Sequence, residues 1–419
     1  MGTLWKIAAR NVLRHKRRTV ITGVVMAVGI GLFIMMDSVL VGMDRITLDN
    51  MIDYTESVAK VRTPEYLSNQ LGTPLDYGVP DPEAAMRAIM AADGRVTAVA
   101  PRARFVANVS NYEDSLPVVA TAVDPELDAL VFRLPEAVVS GSWLSREAPG
   151  DVVIGSGLAK ELGVEVGDYL VVSASTVYEN VNADEYRVGG VVFTPMPYIN
   201  DSGLFMAYGD ADALLGTDGF ASELVVASAR AASLSATLGN ADDIAVQAAA
   251  ALPGLRVDSI TELAKDYLAM RAMKSKFSYM IIVVVLLIAA VGIVNTILMS
   301  VYARIREIGV LRAYGMSPKD IRRLFTLEGL LVGAVGSLGG VLIGALMDWY
   351  FVKVGMSIGA IVGSIDMGGL PLTGTLYGEW NPATMAVGFA FGLVVAFLAA
   401  RIPAKRAARL EVTDALRFV

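Results

Sequence analysis

No cysteine and only one histidine, His15, occur in the 419 residues. Disulfides, zinc-thiolate sites and thiol nucleophiles are therefore excluded, and His15 has no partner for an HExxH zinc site or a Ser-His triad. No Gly-Lys dipeptide occurs anywhere, so the phosphate-binding G-x-x-x-x-G-K-[ST] loop is missing and the chain cannot hydrolyse ATP by the common route. There is no EF-hand loop either. Charged residues are scarce, 18% against about 25% in soluble domains. The net charge of -7 argues against a general nucleic-acid binder.

What the chain has instead is apolar length. Hydrophobic residues make up 54% and the mean hydropathy is +0.54. A bilayer core of about 30 Å needs roughly 20 apolar residues in a helix. Four stretches qualify: 20–42, 277–302, 324–351 and 383–402. Between the first two lies a polar segment, 43–276, that reads as a soluble domain. The first stretch has two readings, an uncleaved anchor or a secretory signal. Its length and the lack of a clear A-x-A site favour the anchor.

Lys and Arg in the flanks give orientation. Lys6, Arg10, Arg14, Lys16, Arg17 and Arg18 precede the first span without an acid. The segment 303–323 and the tail 403–419 are also basic. All three read as cytoplasmic. The large domain holds about 17 basic and about 33 acidic side chains and reads as external, as does the loop 352–382. Residues 1–19 read as a basic amphipathic helix lying on the inner leaflet, or as a plain extension of the first span. Gly336, Gly340 and Gly344 at spacing four, with Gly388 and Gly392, allow close helix approach, either inside one subunit or in a dimer.

In the external domain, 58–62 reads as a strand and Pro82 opens a helix to Ala92. Strands are expected at 96–100 and 104–110, then much later at 223–228. A helix over 242–252 and a strand over 255–259 follow. Two such halves, about 55–111 and 217–260, suggest a split α/β module carrying a β-rich insertion at about 112–216. The insertion ends in an apolar loop with Pro195, Met196, Pro197, Tyr198 and Ile199. That loop is either a long β-connection or a protruding contact element.

The segment between spans two and three carries the most information. Ser317 as N-cap, Pro318 at the first helical position and Asp320 in the first turn predict a helix start, and Gly315 breaks the helix before it. A short helix, about Pro318 to Leu324, is expected to lie across the membrane face before span three rises. Arg306, Glu307, Gly315, Ser317, Pro318, Lys319, Asp320, Ile321, Arg322 and Arg323 are the candidate handle for a cytoplasmic partner.

The segment REIGVLRAYGMSPKDIRRLFTLEGLLVGAVGSLGGVLIG resembles the coupling region of MacB/FtsX-type ABC transporter permeases, which show R-E-I-G-x-x-x-A-x-G-x-x-x-x-D-I. The tail RIPAKRAARLEVTDALRFV resembles theirs, with Val412 or Thr413 where a proline is common. WKIAARNVLRHKRRTVIT resembles their entry into the first span, and GSWLSREAPGDVVIGSGLAKELGVEVGD their external domain. VGGVVFTPMPYINDSGLFMAYGDADALLG is closer to the lipoprotein-releasing LolC/LolE-type permeases, with Pro195-Met-Pro in place of their turn.

The resemblance implies an α-helical membrane protein with four transmembrane helices and a large extracytoplasmic α+β domain, a split porter-like module with a β-rich insertion, between helices 1 and 2. It implies a bacterial inner-membrane location with both termini cytoplasmic. The chain itself would bind no cofactor. ATP and Mg would be held by a separate P-loop ATPase dimer docked on the coupling segment. A second permease subunit, the same or a paralogue, would complete the assembly. The function implied is lipoprotein extraction from the outer leaflet and handover to a periplasmic carrier. MacB-like efflux with an outer-membrane partner and FtsX-like signalling to a periplasmic hydrolase are the alternatives. The candidate lipid path is Met35, Met36, Val39 and Leu40 in span one with Ile281, Ile282 and Val285 in span two.

Overall fold

The computed structural model describes residues 2–14, 16–68, 75–231, 233–357 and 375–409. They form two compact units. The membrane unit draws on the described residues up to Asp44, on 270–357 and on 375–409, and the second unit on the described residues of Arg45–Ala269.

Among the described residues, four helices are long and apolar enough to cross a bilayer. They are Lys16–Met51, Lys265–Tyr302, Pro318–Lys353 and Pro382–Ala408. The shortest has 27 residues. At about 1.5 Å per residue it spans about 40 Å, more than a bilayer core requires. Each helix outruns its apolar run because the polar flanks are also good helix formers. Two short helices accompany them, Gly2–Arg14 and Ile305–Ala313.

The third long helix departs from expectation. Ser317 caps it as expected, accepting from the Asp320 N–H at 3.2 Å. From Pro318 it then runs unbroken to Lys353. Residues 318–323 are therefore the first turns of span three, not a separate helix across the membrane face. Nothing between Asp320 and Leu324 breaks a helix, since the segment holds neither Gly nor Pro. The separate short helix in this region is Ile305–Ala313, closed by Gly315 at φ +91.

The glycine seam packs within the subunit. A Cβ at Gly340 would stand 2.7 Å from Ile30 Cβ, and one at Gly344 would stand 2.7 Å from Ile34 Cβ. One at Gly336 would meet Met26 Cβ at 3.0 Å. On the same helix, Gly329 and Gly333 face Ala400 and Ala396 of the fourth span. Each glycine replaces side-chain thickness with close backbone approach, which supplies van der Waals contact where lipid offers no hydrophobic drive. The dimer reading of this stripe is overturned.

The second unit is built on one ten-stranded sheet. Strands β1 (Ala59–Arg62), β2 (Val96–Ser110), β9 (Glu223–Ser228) and β10 (Arg256–Ser259) lie in the order β10-β1-β9-β2, all antiparallel. Helices Pro82–Ala92 and Leu234–Ala251 pack on this part through Ile89, Ala241 and Ile244. The order 4-1-3-2 of two strand-helix-strand halves is that of the ferredoxin-like motif. The sheet continues through β3 (Ser115–Val123), β8 (Gly203–Ala207), β5 (Asp151–Gly155), β7 (Val181–Val192) and β4 (Val138–Gly141). Strand β6 (Tyr169–Ser175) pairs with β2 and β7.

Two differences from the sequence reading have physical reasons. Strand β2 is one element of 15 residues, not two. Pro101 sits one residue before pairing with β3 begins at Arg102, a place where a missing N–H is tolerated. The helix expected over 242–252 starts earlier, because Ser233 caps it by accepting from the Ala236 N–H.

Charges are buried where the halves share the sheet. Lys60, 1% exposed, lies 2.8 Å from Glu56 and 3.5 Å from Glu223. Burial would raise the Glu223 carboxyl, but Lys60 first, then Arg104, Arg62 and Arg102, hold it below the ordinary carboxylate range. Arg102 makes a paired contact with Asp128, 2.6 Å from Nε and 2.9 Å from Nη2, and stacks 3.6 Å from the Phe132 ring centroid. Asp128 is fully buried. Arg102→Ala is expected to cost about 3–5 kcal/mol by stranding that carboxylate. Thermal unfolding of the purified chain checks it, and an unchanged midpoint would refute the role of the pair.

Candidate functional site

The candidate coupling segment is an exposed charged ridge on an apolar floor. Ile305, Ile308, Ile321, Leu324 and Phe325 are buried. Arg306, Glu307, Pro318, Lys319, Arg322 and Arg323 are exposed, and Ser317 and Asp320 are half-buried. Ile321, singled out from the sequence as part of the docking face, is fully buried and packs with Ile297, Ile308 and Phe325. It belongs to the floor. Tyr314, which the sequence reading passed over, is 88% exposed at the turn between the two helices.

The ridge is cross-braced locally. Ser317 Oγ stands 2.6 Å from Asp320 Oδ2, and Arg323 lies 3.7 Å from Asp320. Arg304 Nε donates to Glu307 at 2.7 Å.

Beneath it, Glu328 ties three helices together. Its Oε1 accepts from Asn11 Nδ2 at 2.6 Å and from Arg304 Nη1 at 3.0 Å, and its Oε2 from Ser300 at 3.3 Å. Glu328 is 3% exposed. Arg304 also lies 5.9 Å from the Phe325 ring centroid. A carboxylate so placed is tolerated only because both of its oxygens find donors, one of them a cation. Asn11 brings the N-terminal helix, Ser300 the end of span two, and Arg304 the start of Ile305–Ala313. In the sequence Glu328 is a charge inside an apolar run, whereas its partners lie up to 317 positions away.

At the other end of span one, Asp37 Oδ2 accepts from Asn381 Nδ2 at 2.9 Å and Thr384 Oγ1 at 2.7 Å. This acid fastens the start of the fourth span and is engaged structurally.

The lipid-path candidates are not brought together as one exposed face. Met35, Met36, Val39 and Leu40 are half-buried, and Ile281 is 47% exposed. Ile282, 3% exposed, packs with Ile30, Phe33 and Leu286, so it belongs to the helix contact and not to a path. Val285 fills the space in front of Gly29.

The apolar loop of the second unit is also rearranged. Pro197–Ser202 form a short helix. It turns Ile199, 3% exposed, into a core with Phe205 and Val225, and Met196 packs against the same cluster. Thr194 and Asn200 clamp the turn, with Asn200 Nδ2 donating to the Thr194 carbonyl at 2.9 Å. Pro195 and Pro197 are half-buried. Only Tyr198 shows much surface, 48%. Burial of its hydroxyl, and then the Glu56 charge, push it up to about 12. The loop is thus not a protruding apolar element.

A family model described as the MacB-like periplasmic core domain matches residues 19–252, and one described as the FtsX-like permease C-terminal matches residues 279–412. The lipoprotein-releasing system transmembrane protein LolC of Neisseria meningitidis serogroup B is 24% identical over 288 residues, 64% of this chain and 65% of that protein. LolC of Xylella fastidiosa is 26% identical over 345 residues, 79% of this chain and 80% of that protein. The macrolide export ATP-binding/permease protein MacB of Brucella abortus is 31% identical over 158 residues, 37% of this chain and 21% of that protein. The chain therefore spans just under two thirds of the Neisseria relative and about a fifth of the Brucella one. The first family match covers more than half of the chain and the second takes in three of its four long helices, so the chain belongs to the MacB/FtsX-type ABC transporter permeases.

Proposed function

We propose that this chain is the permease subunit of an ATP-driven complex in a bacterial inner membrane, with both termini and the ridge 306–323 cytoplasmic and the second unit periplasmic. A separate P-loop ATPase dimer, holding ATP and Mg, docks on the ridge. A second permease subunit completes the pair. The observation that carries this reading is the knot at Glu328. A docking ridge transmits force only if it is rigidly joined to the spans, and Glu328 joins it to the N-terminal helix and to span two at once.

The substrate class we favour is lipoprotein, lifted from the outer leaflet and passed to a periplasmic carrier. The LolC relatives align over most of this chain, whereas MacB aligns over 37% of it. Extraction costs about 0.8 kcal/mol per acyl CH₂ exposed to water. A multiply acylated protein therefore needs both ATP and a shielded route. Met35, Met36, Val39 and Leu40 of span one are the proposed lining, and Met suits varied lipid shapes. MacB-like export is the second reading, favoured by the higher identity, 31%, to the Brucella protein.

The test is charge reversal on the ridge, Asp320→Arg or Arg322→Glu. The expected result is loss of ATP-driven substrate release while the permease itself stays folded. Unchanged ATPase co-purification together with unchanged release would refute the docking assignment. Acylated proteins co-purifying with the trapped complex support lipoprotein release, and an outer-membrane channel in their place supports export.

A further inference from the structure

On the face that carries the ridge, the N-terminal helix, the first turns of span three and the end of span four enclose a groove of about 660 Å³. That lies within the ~300–1,000 Å³ of ligand sites. Leu4, Trp5, Leu327 and Phe397 form its apolar body. Its rim carries three cations, Arg322, Arg323 and Arg401, and among the described residues no acid lines it. Arg323 shares Asp320 at 3.7 Å. Among the described residues, Arg322 and Arg401 have no carboxylate partner, and Arg401 rests 5.4 Å from the Phe397 ring centroid. Trp5 is 49% exposed and Phe397 39%.

We infer that this groove holds an anionic phospholipid, with an acyl chain along Phe397 and Leu327 and the headgroup phosphate among the three arginines. Charge complementarity selects this occupant. A free phosphate would leave the apolar body empty, and a neutral lipid would leave Arg322 and Arg401 without a counter-charge. Clustered basic residues at the end of a span are the usual receptor for anionic headgroups. The end of the N-terminal helix forms one wall, so a bound lipid braces that helix against spans three and four. The inference deepens the proposed orientation, since the leaflet rich in anionic lipid is the cytoplasmic one.

Trp5 supplies the probe. The full chain is purified with Trp349→Phe and Trp380→Phe, which leaves Trp5 and, in the second unit, Trp143. It is reconstituted into vesicles of equal parts phosphatidylglycerol and phosphatidylcholine. Bromine is placed on the acyl chains of one lipid or of the other. Random mixing gives equal quenching in the two sets. A selective groove enriches phosphatidylglycerol at Trp5 by roughly five-fold for each arginine engaged, so quenching is far stronger when that lipid is brominated. Trp5→Phe removes the difference, and Arg322→Gln with Arg401→Gln brings the two sets to equality. Added glycerol phosphate leaves the quenching unchanged if the site requires the acyl chain, and its displacing the lipid would place the affinity in the phosphate alone and overturn the inference. Equal quenching in the parent also overturns it, as does a preference that survives the double arginine change. A protein segment or a second copy filling the groove shows as no quenching in either set, with the same consequence. Both leaflets carry both lipids, so the outcome does not depend on which way the chain inserts and is independent of ATPase docking.

Discussion

Arg304→Ala is expected to destabilise the membrane unit by about 3–5 kcal/mol, because Glu328 is left buried without its counter-charge. Asn11 and Ser300 still donate to Glu328, but neither is a cation. The loss should show as a lower unfolding midpoint and a shorter half-life in detergent. Removing both charges is a different experiment. Arg304→Met with Glu328→Leu replaces the pair by apolar groups of similar volume, which typically costs nothing or adds about 1–4 kcal/mol. The double variant should therefore fold. It should also fail to couple, since Asn11, Ser300 and the start of Ile305–Ala313 no longer share one acceptor. ATP hydrolysis by the docked partner would continue without substrate release. Normal release by the stable double variant would reduce the knot to a structural device, and an unaltered midpoint for Arg304→Ala would refute the ion pair itself.

The contrast between Glu328 and its partners shows what the sequence could and could not reveal. Four spans were legible because an apolar run of about 20 residues has few other uses. Their ends were not, because hydropathy reports where side chains meet lipid and helix ends are set by backbone hydrogen bonds. Lys265 to Lys276 is charged and still helical. The cap at Ser317 was legible as local chemistry, whereas the expectation of a separate helix after it had no breaker to support it. In the second unit, the two strand-helix-strand halves were readable from periodicity and turn residues. The sheet that joins them to the insertion was not, because β2 pairs with three strands at separations of up to about 130 positions. Met196, Tyr198 and Ile199 looked costly to expose; the fold buries Ile199 and half-buries Met196, and leaves Tyr198 48% exposed. Composition gave the cost, and only tertiary packing gave the answer.

Gly333→Ala and Gly340→Ala should look alike in sequence and differ in rescue. Either change gains up to about 1 kcal/mol of helix propensity. Either also forces a Cβ into a closed contact, and overpacking of this kind costs typically 1–3 kcal/mol. At Gly333 the obstacle is the Ala396 Cβ, and the next atom, Ala396 Cα, is at 3.6 Å. Ala396→Gly removes that obstacle entirely, so Gly333→Ala with Ala396→Gly should recover the parent midpoint, the propensity gained on span three offsetting that lost on span four. At Gly340 the new Cβ meets Ile30 Cβ at 2.7 Å and also the Ala27 carbonyl oxygen at 3.0 Å. Trimming Ile30 to Ala leaves its Cβ, and no substitution removes a backbone carbonyl, so the first span must shift. Gly340→Ala with Ile30→Ala should therefore be worse than Gly340→Ala alone, having added a cavity to an unrelieved clash. Thermal unfolding of the four variants beside the parent decides it. Rescue at both positions, or at neither, would mean that the seam yields as a soft lipid-like contact and that helix approach here is not fixed by these two backbones.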